Sequence, residues 1–312
     1  MRALARRHGV EVPPDVEAFF DAVEAGHWDE IEARFKKIDG GDASASTGTR
    51  RPPGVQALWP AIIDTYGVAQ EVHEWPAQKV LDYGNAVLSS LRPGTVYVGG
   101  TDPGRWIPTL LNETSEGERH IIITQNGLAD WGYLDYVDLL YGDRLSMLTR
   151  DESERAFNDY VADARKRLEH DQQFPHEPKQ IRPGENVSLD PGGKVIVSGQ
   201  IAVMGINERL LQMLMEKNPE LSFALEESFP LKSTYAHAAP AGPIMELRAD
   251  DGDHALTAER ASQSIDYWRA TSQQLISDPE APDGSHPRKA WSKMAAPQAN
   301  LFAERNLAAE AE

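Results

Sequence analysis

No cysteine occurs among the 312 residues, which excludes disulfides, thiolate metal sites and a cysteine nucleophile while fitting any redox compartment. No window reaches the length of a membrane span. The opening MRALARRHGVEVPPD carries basic residues with no apolar stretch behind them, so it does not read as a secretory signal. The chain is therefore expected to be soluble and cytoplasmic by default. Basic residues are outnumbered, 31 Lys and Arg against 49 Asp and Glu. The resulting net charge of -18 argues against nucleic acid or an anionic membrane as partner, because both repel such a surface. There is no G-x-S-x-G elbow for a serine esterase, and no H-E-x-x-H or paired-histidine motif for zinc. The nine histidines are scattered. P-loop and G-x-G-x-x-G fingerprints are missing too, as are internal repeats and low-complexity blocks.

What is present belongs to a globular chain, with 40% hydrophobic and 26% charged residues. Residues 14 to 37 have Phe19, Phe20, Val23, Trp28 and Ile31 at helical spacing, broken at Gly26. Residues 39 to 54, DGGDASASTGTRRPPG, read as a loop or linker. Two helices follow, VQALWPAIIDTYGVAQ and PAQKVLDYGNAVLSSL. Type then alternates: TVYVGG as strand, IPTLLNE as helix, RHIIITQ as strand, LADWGYLDYVDLLYG as helix, RLSML as strand, and DESERAFNDYVADARKRLEHDQQ as a long helix. Short connections between alternating types imply a parallel sheet with right-handed crossovers. NVSLDPGGKVIVSG reads as a hairpin, INERLLQMLMEKNP as a helix, LSFALEES and GPIMELRA as strands, and the tail as helices. LFAERNLAAEAE lacks a stop signal, as though a longer helical protein continued beyond it. The expected fold is α/β: a parallel or mostly parallel sheet with flanking helices over 55–254, a helical N-terminal extension and linker over 1–54, and a helical segment over 255–312.

Ligands of such sheets sit beyond the carboxyl ends of the strands, where two stretches carry polar residues. In GGTDPGRW, Pro108 suits a first helical position, so residues 99 to 106 are expected to form an irregular loop. Gly99, Gly100 and Gly104 would let the backbone bend and a ligand approach, while free N–H groups, including that of Thr101, would face an anion. Arg105 would clamp a carboxylate or phosphate, and Asp102 would accept from a hydroxyl, hold a cation or act as a base. The plainer alternative has Asp102 capping the helix with Arg105 as its ion-pair partner. In IIITQNGLAD, Gln125 and Asn126 could bond hydroxyls or amides and Asp130 lies one turn on; alternatively this is an Asn-Gly turn with Asp130 serving the next helix. In FALEESFPLKSTYAHAAP, Glu226 and Glu227 fall on opposite strand faces, so one at most points inward. Tyr235 and His237 follow on a loop rich in small residues, and a buried carboxylate, Glu226 or Glu227, near His237 would make an acid–base pair, against the alternative of an incidental histidine. Oxygen ligands such as Asp102, Asp130 and Glu227 would favour Ca²⁺ or Mg²⁺.

At YVGGTDPGRWIPTLLNE…HIIITQNGLADWGYLDYV…YGDR and at VMGINERLLQMLMEKNP…FALEESFP, the chain resembles a bacterial family. Its members look like the soluble portion of large proteins whose membrane part is similar to GT-C-type O-mannosyltransferases. The resemblance covers roughly residues 55 to 300 and implies a continuation into tetratricopeptide repeats. It brings no site residues, because GT-C catalysis depends on acidic residues at membrane loops that this chain lacks. Two functions are therefore expected. One is a hydrolase of an ester, lactone or related polar substrate. Its loop N–H groups and Arg105 would stabilise an oxyanion, and Asp102 or Asp130 would activate water, with or without a hard cation. The other is a non-catalytic module binding sugars, peptides or carboxylates.

Overall fold

Glycine and proline punctuate the N-terminal helices where the sequence places them. The computed structural model describes residues 1–40, 51–100, 102–117, 119–226, 231–247 and 256–311. Helix α1 is Arg2–His8, α2 Pro14–Ala25 and α3 Trp28–Asp39; Gly26, at φ 69°, closes α2 in the left-handed region. Helix α4, Pro53–Glu74, runs on through Pro60, and α5 is Ala77–Ser89. Leu4, Val16, Phe19, Ile31 and Ile38 meet Leu58 and Ile62 of α4 in one apolar cluster, so the three leading helices are fastened to α4 by burial.

Strand β1, Val96–Gly99, leads into α6, Pro103–Thr114, and on to β2, Ile121–Thr124. A 3-10 turn over Gln125–Gly127 precedes α7, Trp131–Tyr141. Helix α8, Arg150–Gln173, opens on a reciprocal Thr149–Glu152 capping box. The hairpin of β3, Asn186–Leu189, and β4, Val195–Ser198, forms a small sheet of its own. Helix α9 is Gln200–Lys217 and β5 Phe223–Leu225. After a 3-10 segment, Lys232–His237, come β6, Ala238–Ala241, and β7, Ile244–Leu247. Helices α10 (Ala258–Ser277), α11 (His286–Glu304) and α12 (Ala308–Ala311) end the chain as described.

The main sheet has the order β2-β1-β5-β7-β6. β1 is parallel to β2 and to β5, whereas β7 is antiparallel to both its neighbours. The sheet is thus mixed around a parallel core, a correction to the all-parallel form of the expectation. One face packs Val96, Val98, Ile123 and Leu225 against α7 and α9. The other packs Tyr97, Ile122 and Ala224 against α5, α6 and α11. With both faces covered, β1, β2 and β5 are buried at every position, which is why they read as unbroken apolar runs.

Three local expectations fail, each for a physical reason. RLSML is not a strand: Leu145, Met147 and Leu148 are buried, but the backbone is held by an amide instead of a neighbouring strand. Ser146 N–H donates to Asn218 Oδ1 at 2.8 Å, and Asn218 Nδ2 donates to Ser146 O at 3.0 Å. AHAAPA was read as loop, yet contains β6; its proline is tolerated because β6 is an edge strand. The tail does hold a stop, because Asn306 takes the left-handed conformation (φ 59°) just past α11.

The opposite edge, β2, is finished by side chains. His120 N–H donates to Asn112 Oδ1 at 2.8 Å and His120 O accepts from Asn112 Nδ2 at 3.1 Å. Thr124 N–H donates to the Tyr133 hydroxyl at 2.7 Å, and the Tyr141 hydroxyl lies against the Ile122 amide.

Candidate functional site

From β1 the chain turns towards β2, whereas from β5 it turns the other way, towards β6 and β7. The carboxyl ends of these adjacent parallel strands therefore diverge, the position at which open α/β sheets form a crevice. Asp102 follows β1 and Glu226 follows β5.

The approach to Asp102 corrects the loop expected over 99 to 106. Helix α6 begins at Pro103, which occupies its first turn, and Pro108 lies inside the helix. Asp102 is the N-cap, accepting from Gly104 N–H at 3.2 Å, so the capping alternative describes its local role. Its other oxygen faces Lys293 Nζ of α11 at 3.5 Å. Gly99 and Gly104 are required for space rather than for conformation, since neither has a positive φ. A Cβ on Gly99 would stand 2.9 Å from the Arg105 Cβ, and one on Gly104 would stand 1.8 Å from Glu226 Oε2.

Glu226 is 4% exposed. Its Oε2 accepts from Gly100 N–H at 3.3 Å. Burial, then the charge of Asp102, pushes its carboxyl up to about 8. Glu71 of α4 adds a third acid. Burial, then Glu74, raises it to about 7, with Asp102 adding to the rise and Lys293 opposing it. Tyr83 and Tyr97 are fully buried beside Glu226, and burial holds both phenols well above their usual range. Tyr97 donates to Gly104 O at 2.7 Å, while the Tyr83 hydroxyl has no hydrogen-bond partner. The result is a cluster of largely buried acids, with the 62% exposed Lys293 beside Asp102.

Arg105 is not part of this cluster. It is buried, and its Nη2 lies 2.8 Å from Asp64 Oδ1 of α4. The anion clamp therefore does not form, and its companions are committed as well. Gly100 N–H serves Glu226 and Gly104 N–H serves Asp102, so the protein's own carboxylates occupy the helix N-terminus.

The remaining expected residues are dispersed. β1 and β2 exit side by side, Gly99 opposite Thr124, so Gln125 and Asn126 share the edge with Asp102. Gln125 is buried with an unbonded Oε1, and Asn126 N–H is turned onto Thr124 Oγ1 at 3.3 Å. Asp130 caps α7 through Gly132 N–H at 2.8 Å, the alternative role read for it. His237 does not meet Glu226. It precedes Ala238, which is in row with Leu247 and Phe223, so it lies at the opposite end of the sheet. Thr101 and Glu227 lie outside the described residues. Among the described residues no group of three or more His, Asp or Glu is arranged to hold a metal ion, which leaves Ca²⁺ or Mg²⁺ without a ligand set there.

Glu71, Tyr83, Tyr97 and Lys293 were not singled out in the sequence. Glu71 did carry a signal: it falls four residues after Gly67 on the buried stripe of α4. No family model, curated protein or solved structure matches this chain.

Proposed function

We propose that the chain is a hydrolase working by carboxylate acid–base chemistry on a small polar substrate at the diverging ends of β1 and β5. The single observation that carries this reading is the buried Glu226, protonated around neutrality, set against Asp102 across Gly104. Glu226 gives its proton to the leaving oxygen as the carbon–oxygen bond breaks. Asp102 takes a proton from the water whose oxygen bonds to that carbon. One water is consumed, and a proton passes from Asp102 back to Glu226 through solvent. Because the local N–H groups already serve these acids, the site favours bonds cleaved by protonating the leaving group, such as acetals, over esters and lactones, which need oxyanion donors.

The test is hydrolysis of nitrophenyl esters, lactones and nitrophenyl glycosides across the pH range. Turnover should fall on the alkaline side near pH 8, following Glu226. Glu226→Gln and Asp102→Asn should each lower kcat by about a hundredfold. Wild-type rates no higher than those of Asp102→Asn on all three classes would refute the catalytic reading.

The second reading, a non-catalytic binding module, is favoured by the same use of N–H donors. With the Gly100 and Gly104 N–H groups taken, its ligand would offer hydroxyl or amine donors to the carboxylates, as a sugar does. Thermal stabilisation by such a ligand without turnover identifies it.

A further inference from the structure

A cleft of about 560 Å³ opens on the far side of α6 from Glu226, between the α2–α3 pair and helices α4, α6 and α7. That volume lies within the range of small-molecule sites. Its walls are largely apolar, with Val68 and Leu110 and the aromatic rings of Trp28 and Tyr136 among them. Asp64 and Glu113 also line it, and no Lys or Arg is among its lining residues.

Asp64 is only partly enclosed. Its Oδ1 is buried and lies 2.8 Å from Arg105 Nη2, while Arg105 Nε has no hydrogen-bond partner. The Asp64 side chain is nevertheless 18% exposed and lines the cleft, so the surface it shows there lies outside Oδ1, and the second carboxylate oxygen can still accept. An apolar chamber with a partly exposed carboxylate in its wall selects a ligand with a hydrophobic body and a charged N–H head. Desolvated charge-assisted hydrogen bonds are the stronger kind, and nearby aromatic faces add attraction for a cation. Glu113, paired with Arg119 at 3.0 Å and 47% exposed, contributes acidity at the rim.

We propose that this cleft binds a small organic ammonium with an aromatic or branched aliphatic body, its ammonium on Asp64 and its body between Val68, Leu110 and Trp28. The site is separate from the acid–base pair, and its occupancy does not depend on that reading.

The experiment is calorimetric titration of the full chain with phenethylammonium, phenethyl alcohol and phenylacetate, which share a body and differ in the head. Phenethylammonium should bind saturably and at least about tenfold more tightly than the alcohol, as expected for a charged over a neutral hydrogen bond. Phenylacetate should not bind. Asp64→Asn strands Arg105 and can unfold the chain, so two variants away from that pair carry the test. Val68→Trp fills the chamber and should abolish binding, and Glu113→Gln should weaken it about two- to fivefold. Equal binding of ammonium and alcohol would show a plain apolar cleft and overturn the proposal. So would no saturable binding to the wild type, binding that survives Val68→Trp, or a wild-type dimer that Val68→Trp dissociates, which would put a second copy over the cleft.

Discussion

At the scale of single residues, Glu226 ties stability to pH. Its carboxyl titrates near 8 in the folded chain against an ordinary value of 4.5. Between those values the folded state holds a proton that the unfolded state has released, so stability is fully present below the lower value and is lost as pH rises towards 8. Glu71, raised to about 7, acts in the same direction. The expected outcome is a Tm that falls from pH 5 to pH 8, measured by calorimetry, with a clearly smaller fall in Glu226→Gln. An unchanged slope in that variant would place the titration elsewhere. Residue identities were partly legible in advance. Period-two alternation said that only one of Glu226 and Glu227 could face inward, but local pattern holds no information on which face meets the core. For Arg105 the sequence offered a cation beside a glycine turn, whereas its partner, Asp64, is 41 residues earlier and was brought near only by packing.

At the scale of elements, α6 is fixed from several sides at once. Arg105 reaches Asp64, Gly104 admits Glu226, and two glycines on other helices make room for its side chains. A Cβ on Gly67 of α4 would stand 2.1 Å from the Trp106 ring, and one on Gly84 of α5 would stand 2.5 Å from Leu111. Gly67→Ala sets a helix-propensity gain of about 1 kcal/mol against an overpacking cost of about 1–3 kcal/mol. The ring is rigid and the approach very close, so the cost wins. The expected result is a lower midpoint in urea with an altered Trp106 emission; a higher midpoint would mean that α4 and α6 separate freely. Most helices and the strands β1, β2, β5 and β7 were legible because long periodic or wholly apolar runs have few alternative fates. The start of α6 was misread because Pro103 and Pro108 both suit a helix opening, and the choice rests on Asp102 as cap. The segment around Leu145 was misread because an Asn218 side chain imitates a strand, a substitution with no local signature.

At the scale of the whole molecule, the net charge of -18 is a distributed cost. It is already net of internal ion pairs such as Arg167 with Glu185 and Lys79 with Asp278, so it is an excess of acid that no pairing within the chain removes. Self-repulsion weakens the compact state, and salt screens it, shortening the Debye length from about 30 Å to about 8 Å between 0.01 and 0.15 M. Tm is therefore expected to rise over that interval; a fall would mean that surface ion pairs outweigh repulsion. No helix among the described residues is long and apolar enough to cross a membrane.

The margins of the main sheet bear on how these molecules behave when crowded. An outermost strand with vacant amides invites an extended peptide to lengthen the sheet, which is how many chains begin to polymerise. Here one border is already engaged by Asn112, Tyr133 and Tyr141, and the other presents Pro240, which has no amide hydrogen to offer. Lengthening of the main sheet by a strand from a neighbouring molecule is thus blocked at both flanks.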